Sequence, residues 1–199
     1  MIKVYIATSR PIGEKCIAHA KKRMPKGYQL TDVMEDCDIL ISVMYDTLLT
    51  EEFIKSRRCY NFHPGILPRW RGCGAFSMAI LNGDENFGIT LHQIDAGVDT
   101  GYIISTLEFP ILPTDDVNSL FQKGMVMMYN MFTLNLPSIL VGDYGYATPS
   151  KEGYVSNYTS RRELEGKLDI TNMVRAFSFP GKSPLFYTDR NGNKVTISW

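Results

Sequence analysis

Short apolar runs alternate with amphipathic segments along the first two thirds of the chain. Residues 2–7 and 38–44 are nearly continuous runs of apolar, largely β-branched residues, a pattern typical of buried parallel strands. Between them, apolar residues recur at helical spacing from Pro11 until Pro25 ends the pattern. Thr50 is a good N-cap for a further short helix, because acidic residues follow it. These segments predict alternating strands and helices.

The same alternation continues into the middle of the chain. A strand at residues 59–61 leads into a loop rich in proline and glycine, and further strands are predicted at residues 87–94 and 102–109. Thr114 is predicted to cap a long helix with apolar residues every three or four positions. We therefore predict an α/β fold, with a Rossmann-like parallel sheet and right-handed crossovers. Ligands of such sheets collect at the carboxyl ends of the strands.

The texture of the sequence changes after Asp143, where tyrosine, glycine, serine and charged residues replace the periodic pattern. We predict a main domain at residues 1–143 and a carboxy-terminal extension at residues 144–199. The extension should contain a short helix, capped by Asp169 or Thr171, and a β-hairpin at residues 185–197 that turns at residues 189–193. A lone hairpin is only marginally stable, so it must pack on the main sheet or on another subunit.

Composition narrows the function classes. The chain of 199 residues has 21 basic and 21 acidic residues, and this balance disfavours a nucleic acid as an obligatory partner. The four cysteines are spread singly, with no histidine at metal-ligand spacing, so we expect reduced thiols and no metal. No signal peptide and no membrane span are predicted, which favours a cytoplasmic protein. The GxGxxG fingerprint does not follow the first strand, so NAD is disfavoured.

Three polar residues lie in glycine-bearing loops beside apolar strands: Asn61, His63 and Asp99. A carboxylate near an imidazole favours its protonated form and fixes its tautomer, and an amide can donate to a developing oxyanion. This combination suits acyl transfer. The alternatives are a loop histidine satisfied by backbone groups, an aspartate that only stabilises its own turn, and, at His92, a core or lining role.

Longer stretches of sequence around these residues closely resemble the folate-dependent formyltransferases. The resemblance rests on residues 61–72, 79–84, 88–92 and 95–101. It implies a formyltransferase fold and an enzyme that transfers a formyl group from 10-formyltetrahydrofolate to a primary amine without a metal. It also implies that Asn61, His63 and Asp99 are catalytic. The folate would be held by two segments, whose residues are Thr47, Leu48 and Leu49, and Ile94, Asp95, Ala96, Gly97 and Val98.

The chain also departs from the family pattern. Ala75 and Met78 stand where many relatives have proline and tryptophan, and only sixty residues precede Asn61, so the amino-terminal half is expected to be shortened. Members of the family formylate different acceptors. The carboxy-terminal segment of this chain most resembles that of the nucleotide-sugar N-formyltransferases. The resemblance therefore implies a nucleotide-linked, dTDP-type amino deoxysugar and a role in surface-polysaccharide biosynthesis. Glycinamide ribonucleotide, methionyl-tRNA and a non-catalytic folate or nucleotide-sugar binder remain alternatives.

Two further expectations concern the substrate and the assembly. Ser9 and Arg10 follow the first strand and are candidate phosphate contacts, although Arg10 could equally be a solvated loop charge; Trp70 is a candidate wall of the substrate pocket. The hairpin is expected to pack across a two-fold axis, which predicts a homodimer.

Overall fold

The computed structural model describes residues 1–145, 148, 170–182, 185–188 and 192–197. Within these residues the chain forms an α/β fold, as predicted. The elements in chain order are β1 (Ile2–Ala7), α1 (Pro11–Arg23), β2 (Tyr28–Leu30), a 3-10 turn (Met34–Asp36), β3 (Ile39–Val43), α2 (Glu51–Lys55), β4 (Arg58–His63), α3 (Ala75–Leu81), β5 (Asn86–Gln93), β6 (Ile103–Pro110), α4 (Val117–Val141), α5 (Ile170–Phe177), β7 (Leu185–Thr188) and β8 (Lys194–Ile197).

Six strands form one sheet in the order β2-β1-β3-β4-β5-β6. The first four are parallel, but β5 runs antiparallel to both of its neighbours. The prediction of a parallel sheet is therefore confirmed for β1 to β4 and wrong at β5. The connection between β4 and β5, residues 64–85, contains one short helix: α3 has seven residues, about 10 Å of helix, which is less than half of the roughly 26 Å that the eight residues of β5 extend. The chain enters β5 at the end of the sheet where β4 finishes, with His63 opposite Thr90.

The two faces of the sheet are covered unequally. The main core lies on one face, where α1, α3 and α4 pack against the strands. Among the described residues, the other face carries a small buried hydrophobic cluster, formed by Ala7, Cys37, Leu40 and Cys59. Polar side chains that alternate with core residues along β4 and β5 therefore point towards the thinly covered face.

Helix α4 begins two residues later than the sequence predicts. Asp116, not Thr114, is its N-cap: the carboxylate accepts from Ser119 N, and the Ser119 side chain accepts from Asp116 N. Asp115 instead accepts from Leu112 N and pairs with Lys123 at 2.6 Å. In length and composition α4 could cross a membrane, contrary to the prediction, but ten of its residues are buried in the core.

The carboxy-terminal elements agree with the predicted helix and hairpin where they are described. Helix α5 packs on α3, and Ser77 Oγ donates to Ala176 O. Strands β7 and β8 form a separate antiparallel pair. The predicted cap Asp169, the turn residues 189–191 and most of the segment expected to contain the domain boundary lie outside the described residues.

Candidate active site

Strand β4 presents Asn61 and His63 on the same face of the sheet. Phe62, between them, points into the main core and is fully buried. His63 is the last residue of β4 and is itself buried, rather than lying in the loop as predicted. Both polar side chains thus come from the carboxyl end of a central strand, which fixes their positions more firmly than a loop would.

Asp99 reaches the same place from the loop between β5 and β6. Its backbone is left-handed, with φ of 52°, and only 12% of its side chain is exposed. Its Oδ2 accepts from Gly72 N at 2.8 Å and lies 3.3 Å from His63 Nδ1. Its Oδ1 accepts from Asn61 Nδ2 at 3.4 Å. The structure therefore brings together the three residues that the sequence singles out.

A fourth polar residue, His92, joins this group although the sequence suggested a core or lining role for it. His92 lies opposite Asn61 in the antiparallel pairing of β5 with β4, and on its other side the pairing of β5 with β6 has a register shift between Leu91 and His92. Such irregularities re-aim side chains. Its Nε2 lies 3.2 Å from Asn61 Nδ2 and 3.3 Å from Asp99 Oδ1. His92 lies next to Asn61 because β5 runs antiparallel to β4. The sequence pattern did not predict that strand direction, and so it did not predict this position of His92.

Each imidazole is anchored to a backbone carbonyl on the side away from Asp99. His63 Nε2 donates to Trp70 O at 2.5 Å, and His92 Nδ1 donates to Gln93 O at 2.6 Å. A carbonyl oxygen only accepts, so these two nitrogens carry protons. The nitrogens that face Asp99 then carry a proton only when their ring is cationic. The two rings and the carboxylate can consequently hold one additional proton between them and pass it on.

Burial and nearby charges shift the pKa values of Asp99 and His63 in opposite directions. Burial alone would raise the pKa of Asp99, but its hydrogen bond with His92, the charge of His63 and the N–H of Gly72 together lower that pKa to about 2. Burial lowers the pKa of His63, and the nearby Asp99 carboxylate opposes this shift. At neutral pH Asp99 is therefore ionised.

The loop after β4 is held against β5 by a buried hydroxyl. Thr90 Oγ1 donates to Gly65 O at 2.7 Å and accepts from Leu67 N at 3.1 Å. Gly65 itself has no room for a side chain, because a Cβ there would lie 2.7 Å from His63 Nε2 and 2.8 Å from Trp70 O. The hydrogen bond between His63 and Trp70 thus passes directly over a glycine.

The two segments predicted to bind folate flank this site. Leu49 and Ile94 pack against the same small cluster on the thinly covered face, and Ile94 N donates to Cys59 O. Thr47 and Leu48 are exposed, as are Ala96, Gly97 and Val98. Asp95 Oδ1 accepts from Thr100 Oγ1 and from Gly97 N, which stiffens the second loop. Binding of folate by residues 47–49 and 94–98 therefore stays a prediction.

The remaining candidate residues are engaged elsewhere. Arg10 pairs with Asp46 at 3.3 Å, and Ser9 Oγ accepts from Asp46 N at 3.2 Å, so both connect the loops after β1 and β3. The indole of Trp70 donates to Asp84 Oδ2 at 2.7 Å, and its contact with the site is made by its main-chain oxygen. Across the described part of the chain, no group of three or more His, Cys, Asp or Glu residues is arranged to hold a metal ion.

The family model and the curated relatives that match this chain point to the same family. The formyl transferase family model matches residues 11–134. The methionyl-tRNA formyltransferase of Francisella philomiragia is 40% identical over 170 residues, which is 79% of this chain and 52% of that protein. The chain thus spans about half the length of the curated relatives it matches.

Solved structures with the same fold cover nearly the whole chain. A 4-N formyltransferase from Francisella tularensis superimposes with a TM-score of 0.79 at 18% identity, covering 100% of this chain and 97% of that chain. An N-formyltransferase from Helicobacter canadensis, crystallised with folinic acid and dTDP-3-aminofucose, gives a TM-score of 0.72 at 20% identity, covering 100% and 99%. These likenesses establish the fold, and the predicted formyltransferase fold is confirmed.

Proposed function

The chain belongs to the formyl transferase family, and from this premise we propose that it transfers a formyl group from 10-formyltetrahydrofolate to the primary amine of a nucleotide-linked amino deoxysugar. The observation that carries the proposal is the convergence of Asn61, His63 and Asp99 at the carboxyl end of β4. An amide donor, an imidazole and a carboxylate within hydrogen-bonding distance are the groups that formyl transfer to an amine requires.

The co-substrate supplies a formyl carbon bonded to a nitrogen that can leave as an amine. As the acceptor amine attacks that carbon, negative charge develops on the formyl oxygen. Asn61 is half-buried whereas His63 and His92 are buried, and its Nδ2 stabilises this charge; Nδ2 must release its long, 3.4 Å bond to Asp99 to do so. One such donor contributes on the order of 3 kcal/mol to transition-state stabilisation.

The proton lost by the acceptor amine has a direct path through the same residues. Asp99 and the ring nitrogens that face it accept the proton, and His63 returns it to the departing nitrogen. The low pKa of Asp99 keeps the carboxylate a weak base, so the proton passes to an imidazole instead of being retained on the carboxylate. His92 holds the second oxygen of Asp99 and thereby fixes the direction of the carboxylate.

Two loops are suited to the folate. The main chain at Thr47, Leu48 and Leu49 and at Ile94 to Val98 provides donors and acceptors for a pterin ring, above the apolar surface of Leu49 and Ile94. The second loop lies beside the catalytic group, because Asp95 and Asp99 both belong to the short loop between β5 and β6. This position would bring a bound formyl group next to Asn61.

The choice of a sugar acceptor rests on similarity to solved N-formyltransferases over nearly their full length. One of them was crystallised with dTDP-3-aminofucose, which favours a dTDP-type substrate. The role in surface-polysaccharide biosynthesis is part of the proposal. The balanced charge of the chain, 21 basic and 21 acidic residues, is also better suited to a small substrate than to a nucleic acid. We further propose a cytoplasmic homodimer that uses the hairpin formed by β7 and β8.

Methionyl-tRNA is the second candidate acceptor, and the sequence identity to methionyl-tRNA formyltransferases favours it. A competition among acceptors distinguishes the candidates. The protein is incubated with 10-formyltetrahydrofolate and a panel of dTDP-amino sugars, glycinamide ribonucleotide or methionyl-tRNA, and formylated product is measured by mass spectrometry. We expect a formylated dTDP-sugar. Formylation of glycinamide ribonucleotide or methionyl-tRNA alone would refute the sugar assignment.

A further inference from the structure

We propose that Asp84 is a positioning residue, which holds His63 in its working orientation through the indole and the main-chain carbonyl of Trp70. The proposal rests on the proposed function, in which His63 moves a proton. Asp84 does not touch His63; it acts through the residue that His63 binds.

The carboxylate of Asp84 is buried and fully engaged. Only 5% of its side chain is exposed. Oδ2 accepts from Trp70 Nε1 at 2.7 Å, while Oδ1 accepts from Arg69 Nη2 at 2.7 Å and from Asn82 Nδ2 at 2.6 Å. The main chain of Asp84 is fixed to the end of α3 by its N–H, which donates to Ala79 O. The carboxylate therefore sits at a defined point of the scaffold.

Trp70 transmits this position to His63. Its side chain is buried, its indole N–H is held by Asp84, and its main-chain N–H donates to Ile66 O. With both ends of the residue held, its carbonyl oxygen has one direction, which points at His63 Nε2. The carbonyl in turn keeps the proton on Nε2, so that Nδ1 faces Asp99.

If Asp84 only stabilised the turn that follows α3, its hydrogen bond with the indole of Trp70 would have no explanation. The turn is already formed by main-chain hydrogen bonds of Gly83 and Asp84 to α3. The ion pair with Arg69 is half exposed on the arginine side, so water screens it. The bond from the buried indole to a carboxylate is charge-assisted and screened from water, and it is the contact that connects to the catalytic group.

The test uses substitutions that remove this bond from either side. Trp70→Phe removes the indole N–H, and Asp84→Ala removes its acceptor. Asp84→Asn keeps an oxygen for the indole but loses the charge that pairs with Arg69. Asp115→Ala is the matched control, because Asp115 is an equally buried carboxylate, also 5% exposed, that pairs with Lys123 away from the site.

The first readout needs no substrate. Nitrogen NMR of the His63 ring reports which nitrogen carries the proton and where the ring titrates. We expect Trp70→Phe and Asp84→Ala to weaken the Nε2 proton signal and to move the titration of His63 to lower pH, because the carbonyl that favours the protonated ring is displaced. Asp84→Asn should restore most of the wild-type behaviour, and Asp115→Ala should leave it unchanged while lowering stability.

The second readout is kinetic. We expect Trp70→Phe and Asp84→Ala each to lower kcat by on the order of tenfold or more with little change in KM. The double variant should lose no more than either single one, since both break the same connection. A folded Trp70→Phe variant with an unchanged His63 ring spectrum, or strictly multiplying losses in the double variant, would overturn the proposal. The NMR result stands even if the protein proves to formylate no acceptor.

Discussion

Substitution of Gly65 by alanine tests the geometry of the candidate site with a single methyl group. The added Cβ would lie 2.7 Å from His63 Nε2 and 2.8 Å from Trp70 O, the two atoms of one hydrogen bond. Real Cβ atoms are not found that close to backbone, so the carbonyl and the ring must separate. A hydrogen bond to a group that becomes charged contributes about 1.5–3 kcal/mol. If that contribution acts in the transition state, kcat/KM falls by roughly 10- to 150-fold.

The assay is the release of tetrahydrofolate from 10-formyltetrahydrofolate, followed by absorbance with the best acceptor of the panel. Gly88→Ala is the matched control, because the added methyl group in this buried glycine of β5 would meet Ile66 Cγ1 at 2.8 Å and Leu107 O at 2.9 Å but no catalytic atom. We expect both variants to lose stability and only Gly65→Ala to lose most of its activity. Wild-type kcat/KM in Gly65→Ala, or equal losses in both variants, would refute the assigned role of the hydrogen bond.

Three further predictions address the support, the charge and the assembly of the site. Thr90→Val keeps the shape of the side chain but leaves Gly65 O and Leu67 N buried without their partner, so the free energy of unfolding in urea should fall by about 1–3 kcal/mol; an unchanged value would contradict this. Asp99, whose pKa is lowered from 3.8 to about 2, contributes about 2 kcal/mol of stability that is present above about pH 4 and lost as the pH falls towards 2. Asp99→Asn should therefore lose stability less steeply than wild type across that window in acid titrations, and parallel curves would argue against an ionised, stabilising carboxylate. Light scattering should give twice the 22.6 kDa of the chain if the hairpin at residues 185–197 joins two copies, and a strictly monomeric mass would exclude that interface.

Much of the fold was predictable because its elements have strong local signals. The strand β1 and the helix α1 are bounded by the run of apolar residues and by Pro11, and both agree with the structure. Strand β2 was missed because its three residues form no recognisable pattern and are held by pairing with β1. The N-cap of α4 was misplaced because Thr114, Asp115 and Asp116 are all plausible caps, and only the side-chain contacts distinguish them.

The site was predictable in its members but not in their arrangement. Asn61, His63 and Asp99 are conspicuous because they stand beside glycine-bearing loops, and the structure brings them together. The contribution of His92 depends on the antiparallel direction of β5, which the apolar pattern of that strand does not indicate. The same limit applies to Trp70: the sequence marks the residue, whereas only the structure separates its indole, which binds Asp84, from its carbonyl, which binds His63.

The assignment of a formyl-transfer site is tested most directly by comparing formyl transfer by wild type with that by the variants Asn61→Ala, His63→Ala and Asp99→Asn. Each variant is measured for folate binding and for tetrahydrofolate release, with His19→Ala on α1 as the histidine control outside the site. We expect each of the three variants to bind the folate but to release tetrahydrofolate about 100-fold or more slowly, while His19→Ala retains wild-type activity. Equal release by wild type and all three variants would contradict the assignment of this group as a formyl-transfer site.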